Sequence, residues 1–300
     1  MKHAYCIIAH HEWELLRYLL KELDDIDNDI FLHIDKKEKK YEELKEWLSE
    51  SCQYSNLHFV ERRKITWGGA SQIDCELRLF KEVLRTSENY LYVHLLSGED
   101  FPLVSQRDLH AFFEENSGVE FLGYADDKFV ENSRKKYSLY HIFQELCGRN
   151  KKSVFYIADY VFRKIQELFG VDRVKRYGIT YKGGDNWCSL TRSAVKYLCD
   201  SEQYIKKIFK YTMCCDEFYK QTILYNSPYY KNIYCPNNRY QSNLRAIDWK
   251  RGKPYVFNID DYDMLVSSGK LFARKLSIRN DKERELVEEL IWHNKFKVSI

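Results

Sequence analysis

Along the first 125 residues, short apolar runs alternate with stretches whose apolar positions recur every three or four residues. The runs at 4–9, 30–34, 57–60, 90–95 and 120–122 predict strands, and the stretches at 12–23, 41–48, 71–84 and 106–113 predict amphipathic helices. Strands alternating with helices mark βαβ units and a mainly parallel sheet. In a Rossmann-type layer sandwich of this kind, ligands collect beyond the carboxyl ends of the strands. His10, the segment 33–37 and the segment 97–103 are therefore expected to face one crevice.

From 126 to 182 the pattern changes to basic and aromatic helical stretches, 133–148 and 153–169, without recognisable site chemistry. This reads as a helical insertion or lid. After Lys182-Gly183-Gly184-Asp185 come a strand at 187–190, helices at 193–200 and 216–224, the segment 244–249 and a loop with Gly252 and Pro254. A helix from about Asp260, the segment 271–275 and a charged helix over 281–294 follow. No repeat, low-complexity tract or Pro/Gly/Ser-rich linker interrupts the chain. One α/β domain over 1–300 is expected, with halves 1–125 and 183–300 flanking the insertion.

Composition narrows the classes of function. With 44% apolar and 31% charged residues the chain has material for a core and no signature of disorder. Lys and Arg number 48 against 45 Asp and Glu, a formal charge of +3, so no nucleic-acid partner is expected. No uncharged apolar run approaches the ~20 residues of a membrane helix. The run 4–9 is too short for a signal-peptide core and is followed at once by His10, His11 and Glu12. Nine Cys without a CxxC pair or zinc spacing fit buried thiols in a reducing cytosol, with Cys214 and Cys215 as packing residues. The 24 Tyr fit either sugar-stacking surfaces or a compositional lean with no function attached.

Four segments carry candidate chemistry. Asp35, in His33-Ile34-Asp35-Lys36-Lys37, follows a strand, where a carboxylate can bond a ribose or a base or simply close a turn. Ser97-Gly98-Glu99-Asp100-Phe101-Pro102-Leu103 makes a tight loop that exposes carboxylates at the crevice. Asp216 and Glu217 are expected at a helix N-terminus; Asp216 suits capping, whereas Glu217 beside Phe218 and Tyr219 suits a general base of raised pKa. Arg274 and Lys275 form an adjacent pair able to bind a diphosphate, or a solvated surface pair. Metal is the competing way to neutralise a diphosphate. The DxD spacings at 25–27, 27–29 and 261–263 lie in turns or on a helix, so no metal site is expected. There is no phosphate-cradling Gly-rich loop, GxSxG or HExxH.

Taken in order, Ile7-Ile8-Ala9-His10, the segment around Asp35, Trp67-Gly68-Gly69-Ala70-Ser71 with Glu76-Leu77, and Leu95-Leu96 running into the 97–103 loop resemble one family. Gly183-Gly184-Asp185-Asn186-Trp187 with Leu190-Thr191-Arg192, Asp216-Glu217 and Leu271-Phe272-Ala273-Arg274-Lys275 complete the series. It is the core-2/I-branching β-1,6-N-acetylglucosaminyltransferase and peptide O-xylosyltransferase family, of which the chain resembles a short bacterial form. The resemblance implies a GT-A-like fold, 1–125 as the nucleotide-binding half and 183–300 as the acceptor and catalytic half. It implies inverting transfer from a UDP-sugar, N-acetylglucosamine first and glucose, galactose or xylose as alternatives, with no metal or other cofactor. By matched position, Glu217 resembles the catalytic base, Asp35 a uridine contact alongside His10, and Arg274 and Lys275 the diphosphate-binding pair. Asp100, Trp187, Trp249 and Asp216 resemble residues lining the sugar and acceptor pocket; some relatives carry a further Arg upstream of the basic pair, for which Arg251 or a neighbour in the loop 250–254 is the candidate. Cys215 replaces the family's usual Pro before Asp-Glu. A glycan or lipid-linked oligosaccharide acceptor in surface polysaccharide synthesis, a cytoplasmic location and peripheral contact of basic runs such as 134–136 and 151–152 with an inner membrane are the corresponding expectations. Two rivals remain: a catalytically idle sugar-nucleotide or glycan-binding module, and a hydrolase using Asp100 and Glu217 as a carboxylate pair.

Overall fold

A computed structural model describes residues 1–296. Eight strands are present among the described residues: β1 (His3–Ala9), β2 (Asn28–Ile34), β3 (Asn56–Phe59), β4 (Tyr92–Ser97), β5 (Asp100–Pro102), β6 (Cys188–Thr191), β7 (Arg245–Ile247) and β8 (Phe272–Arg274). The central sheet runs β3-β2-β1-β4-β6, parallel except for β6, which pairs antiparallel with β4. This is the expected α/β layer sandwich with a mainly parallel central sheet. A small second sheet, β5-β8-β7, follows the crevice end of β4.

The near-complete burial of β1, β2 and β4 has a direct cause. Helices cover both faces of the sheet, so alternate residues of each strand enter different cores. Ala4 and Cys6 pack with Leu77, Phe80 and Val195, while Tyr5 and Ile7 pack with Leu15, Leu19 and Leu286. The helix Trp13–Glu22 buries Leu15, Leu16, Leu19 and Leu20 at the expected spacing. Removing each from water contributes about 1.5–3 kcal/mol.

Three expectations need correction. The segment 120–122 makes only isolated bridges, Glu120 with Ile233 and Phe121 with Ser189, because Phe121 exchanges both backbone bonds with β6 instead of extending the parallel sheet. The stretch 133–148 is broken into Arg134–Ser138 and Gln144–Cys147: Leu139 turns extended, and the peptide groups of Tyr140 bond the side chain of Gln166. The third correction concerns Asp216 and Glu217, which lie in a 3-10 turn, Cys215–Glu217, ahead of the helix Tyr219–Tyr225. Cys214 enters that turn at φ 52, in the left-handed region that an L residue adopts at a cost. The insertion holds five helices and no strand among the described residues. No helix there or elsewhere among them is long and apolar enough to cross a membrane.

Candidate active site

The register of β1 with β2 and β4 ends in the pairs Ala9 with Ile34 and Ile8 with Ser97, so the next residues, His10, Asp35 and Gly98, emerge at the same edge. Backbone bonds close it: Asp35 N–H donates to Ala9 and Gly98 N–H to Ile8, both at 3.0 Å. His10 is open to solvent at one side. The protein packed around its ring, and then the neighbouring His11, lowers its pKa, while Glu99 and Asp35 oppose that shift. Asp35 is buried and closes its own turn, accepting Lys37 N–H at 2.8 Å and Ile65 N–H at 3.3 Å.

The 97–103 loop and the basic pair meet directly. Antiparallel pairing of β5 with β8 sets Asp100 opposite Arg274, and their side chains form an ion pair at 2.9 Å. Glu99, one residue earlier, pairs with Lys275 at 2.7 Å and lies 3.6 Å from His11. Arg274 also donates to the Ser97 hydroxyl and stacks on Trp187, 4.6 Å from the ring centre. Asp100 is fully enclosed: one oxygen meets Arg274 and the other accepts Ser97 N–H at 2.6 Å. Burial raises its pKa and Arg274 opposes the rise. The expectation of Asp100 as a pocket-lining carboxylate is corrected on that ground: it holds Arg274 in place and has no oxygen facing solvent. Arg274 and Lys275 thus emerge as two oriented cations, each held from below by an acid.

Glu217 is partly exposed and pairs with Lys136 of the insertion at 3.1 Å. Burial works against the charged form of Lys136, but Glu217 and the Cys214 and Asp216 side chains raise its pKa overall. Asp216 turns inward and accepts from Gln72 at 3.0 Å. Burial, then the charges of Glu217 and Glu76, push Asp216 up to about 7, so the raised carboxyl expected in this motif is found at Asp216. Glu217 and Arg274 are tied to one strip of chain: Gly184 N–H donates to the Glu217 carbonyl at 2.9 Å, and Trp187 lies three residues further on. A side chain on Gly184 would stand 1.8 Å from the Gly123 carbonyl oxygen, so only glycine lets the strip pass.

The remaining candidates lie at the rim. Trp249 is exposed in the loop after β7. Arg251 is held by Asp248 through Nε and by Asp261 through a terminal nitrogen, each at 2.6 Å. Among the described residues no three His, Cys, Asp or Glu side chains gather as metal ligands would. A cavity of about 580 Å³ lies elsewhere, at the outer edge of the sheet along β3, lined by Phe31, Lys45, His58 and Phe59 among others.

A family model for the core-2/I-branching enzyme matches residues 3–263. The chain belongs to the core-2/I-branching enzyme family. Its curated relatives include xylosyltransferase 2 of Rattus norvegicus, 28% identical over 97% of this chain and 33% of that one. Xylosyltransferase of Ciona intestinalis is 26% identical over 98% and 34%, and human xylosyltransferase 1 is 26% identical over 83% and 24%. The chain spans about a third of the length of these relatives. Among solved structures, apo mouse xyloside xylosyltransferase 1 is 13% identical, with TM-score 0.35 over 74% of this chain and 80% of that one.

In this core-2/I-branching enzyme the residues that sequence reasoning left without a role form the frame of the site. Lys220 is fully buried and pairs with Glu76 of the helix Ser71–Arg85; Tyr219 donates to the same carboxylate at 2.7 Å, and Asn186 to its other oxygen at 2.8 Å. This network fixes the helix that follows Glu217 and the strip that carries Trp187. Asp185 is clamped by Arg239 at 2.6 Å and Asn243 at 3.1 Å. The signal was available: Glu76 sits between Ile73, Leu77 and Phe80 on the buried face of its helix, where a lone acid needs a partner. The Glu217–Lys136 pair had no such signal, since 81 residues separate the two.

Proposed function

We propose that this core-2/I-branching enzyme is an inverting, metal-independent glycosyltransferase that moves a sugar from a UDP-sugar to an acceptor hydroxyl. The observation that carries the reading is the family match over 3–263, just beyond which Arg274, stacked on Trp187, and Lys275 stand as acid-supported cations. In a single in-line displacement, the acceptor oxygen bonds to the anomeric carbon while the bond from that carbon to the phosphate oxygen breaks. The acceptor proton goes to Glu217, and UDP leaves with the bonding electron pair. Lys136 holds the Glu217 carboxylate in place at 3.1 Å. Arg274 and Lys275 offset charge growing on the leaving diphosphate, Arg274 through its planar fork and Lys275 as a point charge. Asp35 and His10 serve the nucleoside end; Trp187 and Trp249 offer faces to the sugars.

The curated relatives carry the name xylosyltransferase, which supports UDP-xylose as donor ahead of the N-acetylglucosamine first expected. A glycan or lipid-linked hydroxyl as acceptor and a cytoplasmic location belong to the same proposal. A thermal-shift series with UDP, UDP-xylose, UDP-N-acetylglucosamine and UDP-glucose, all in chelator, tests it. A ligand at 100 times its Kd stabilises by about 2.7 kcal/mol. UDP-xylose is expected to raise the melting temperature most; no shift with any uridine nucleotide contradicts the reading.

A further inference from the structure

The helix Val154–Leu168 is amphipathic in the reverse sense. Val154, Ile157, Val161, Ile165 and Leu168 follow three- and four-residue spacing and form one stripe, yet they are between 47% and 82% exposed. The face turned to the protein carries polar groups instead. Asp159 is buried and bonds Arg163 at 3.0 Å, with His141 at 3.3 Å; Gln166 is buried and bonds the Tyr140 peptide in both directions, at 2.8 and 2.9 Å. Rolling the helix to hide the stripe would break the contacts to His141 and Tyr140 and leave Asp159 and Gln166 without them. The orientation is therefore fixed, and single exposed apolar side chains, which are ordinary, do not describe it.

Charge identifies what covers the stripe. Residues 134–182 hold 12 Lys and Arg against 4 Asp and Glu, in a chain with 48 against 45, so the remainder is net negative. Lys151 and Lys152 are exposed just before the helix and make no ion pair among the described residues; Lys164 flanks the stripe. Two copies meeting through this face would bring like charges together. An anionic bilayer instead takes the apolar side chains into its acyl boundary and the lysines among its phosphates. Fifteen residues are too few to span a bilayer but suit a helix lying in its surface. We propose that the helix Val154–Leu168 docks this enzyme on an anionic phospholipid surface.

The whole chain is sedimented with vesicles of phosphatidylcholine, with and without phosphatidylglycerol. It should co-sediment with the anionic vesicles only, and added salt should release it. Val161→Asp, and separately Lys151→Glu with Lys152→Glu, should each weaken binding at least about tenfold. These positions are exposed, and unchanged melting temperatures verify the fold; the lysine pair variant keeps the test valid if Val161→Asp melts early. Wild-type protein left in the supernatant, or variants that bind as tightly as wild type, overturn the proposal. So does a concentration-dependent dimer in light scattering that Val161→Asp abolishes without any vesicle binding, since a second copy would then cover the stripe. The readout uses no sugar nucleotide, so its failure leaves the transfer reading standing.

Discussion

Each charged group at the crevice is defined by its neighbour. Arg274 owes its aim to Asp100, Ser97 and Trp187 together, so Arg274→Lys keeps the charge but loses the fork and the stacking surface. A charge-assisted hydrogen bond is worth about 1.5–3 kcal/mol, so calorimetric titration should show UDP binding weakened roughly 10- to 100-fold in that variant. Asp216 offers a check that needs no ligand. Its native pKa, about 7, exceeds the ordinary 3.8, so the native state keeps a proton that the unfolded chain releases. Stability from this group is fully present below the ordinary carboxylate pKa and is lost as pH rises through about 7. Asp216→Asn should therefore flatten the fall in stability between pH 5 and pH 8, by at most about 3 kcal/mol, as measured by urea unfolding at each pH.

Elements convert those pairs into a rigid site. The Glu76–Lys220 pair joins the helix Ser71–Arg85 to the helix Tyr219–Tyr225, with Asn186 and Tyr219 satisfying the rest of the carboxylate. Lys220→Met leaves Glu76 charged and buried, and should cost about 3–5 kcal/mol in denaturant unfolding. The double variant with Glu76→Leu should cost less than the two single variants summed, because no unpaired charge then remains. Most elements were legible from the chain because both periods are strong: β1 and β2 read as apolar runs, and the helix Trp13–Glu22 shows four leucines on one side. The failures share a physical cause. At 120–122, at 139–140 and at Cys214, backbone groups bond distant partners, Ser189, Gln166 and Gly68, and local pattern carries no trace of these. The same holds for the site: the Asp100–Arg274 pair follows from strand register across 174 residues, whereas the acids and cations themselves stood out as motifs.

At the scale of the molecule, the sheet places His10, Asp35 and Gly98 at one edge, the second sheet supplies Arg274, and the insertion contributes Lys136 to Glu217 while turning an apolar stripe outward. Charge is segregated to match, with the basic excess gathered in the insertion. In the proposed reaction Glu217 activates the acceptor while Arg274 and Lys275 take the place of a divalent ion. Its most direct test is steady-state transfer from UDP-xylose, in excess chelator, by wild type and Glu217→Gln, with UDP affinity measured in parallel. Wild-type turnover should persist without metal, and Glu217→Gln should lower it by about 10²–10⁴-fold while binding UDP as before. Near-wild-type turnover in Glu217→Gln, or wild-type turnover that ceases until manganese is restored, would contradict it.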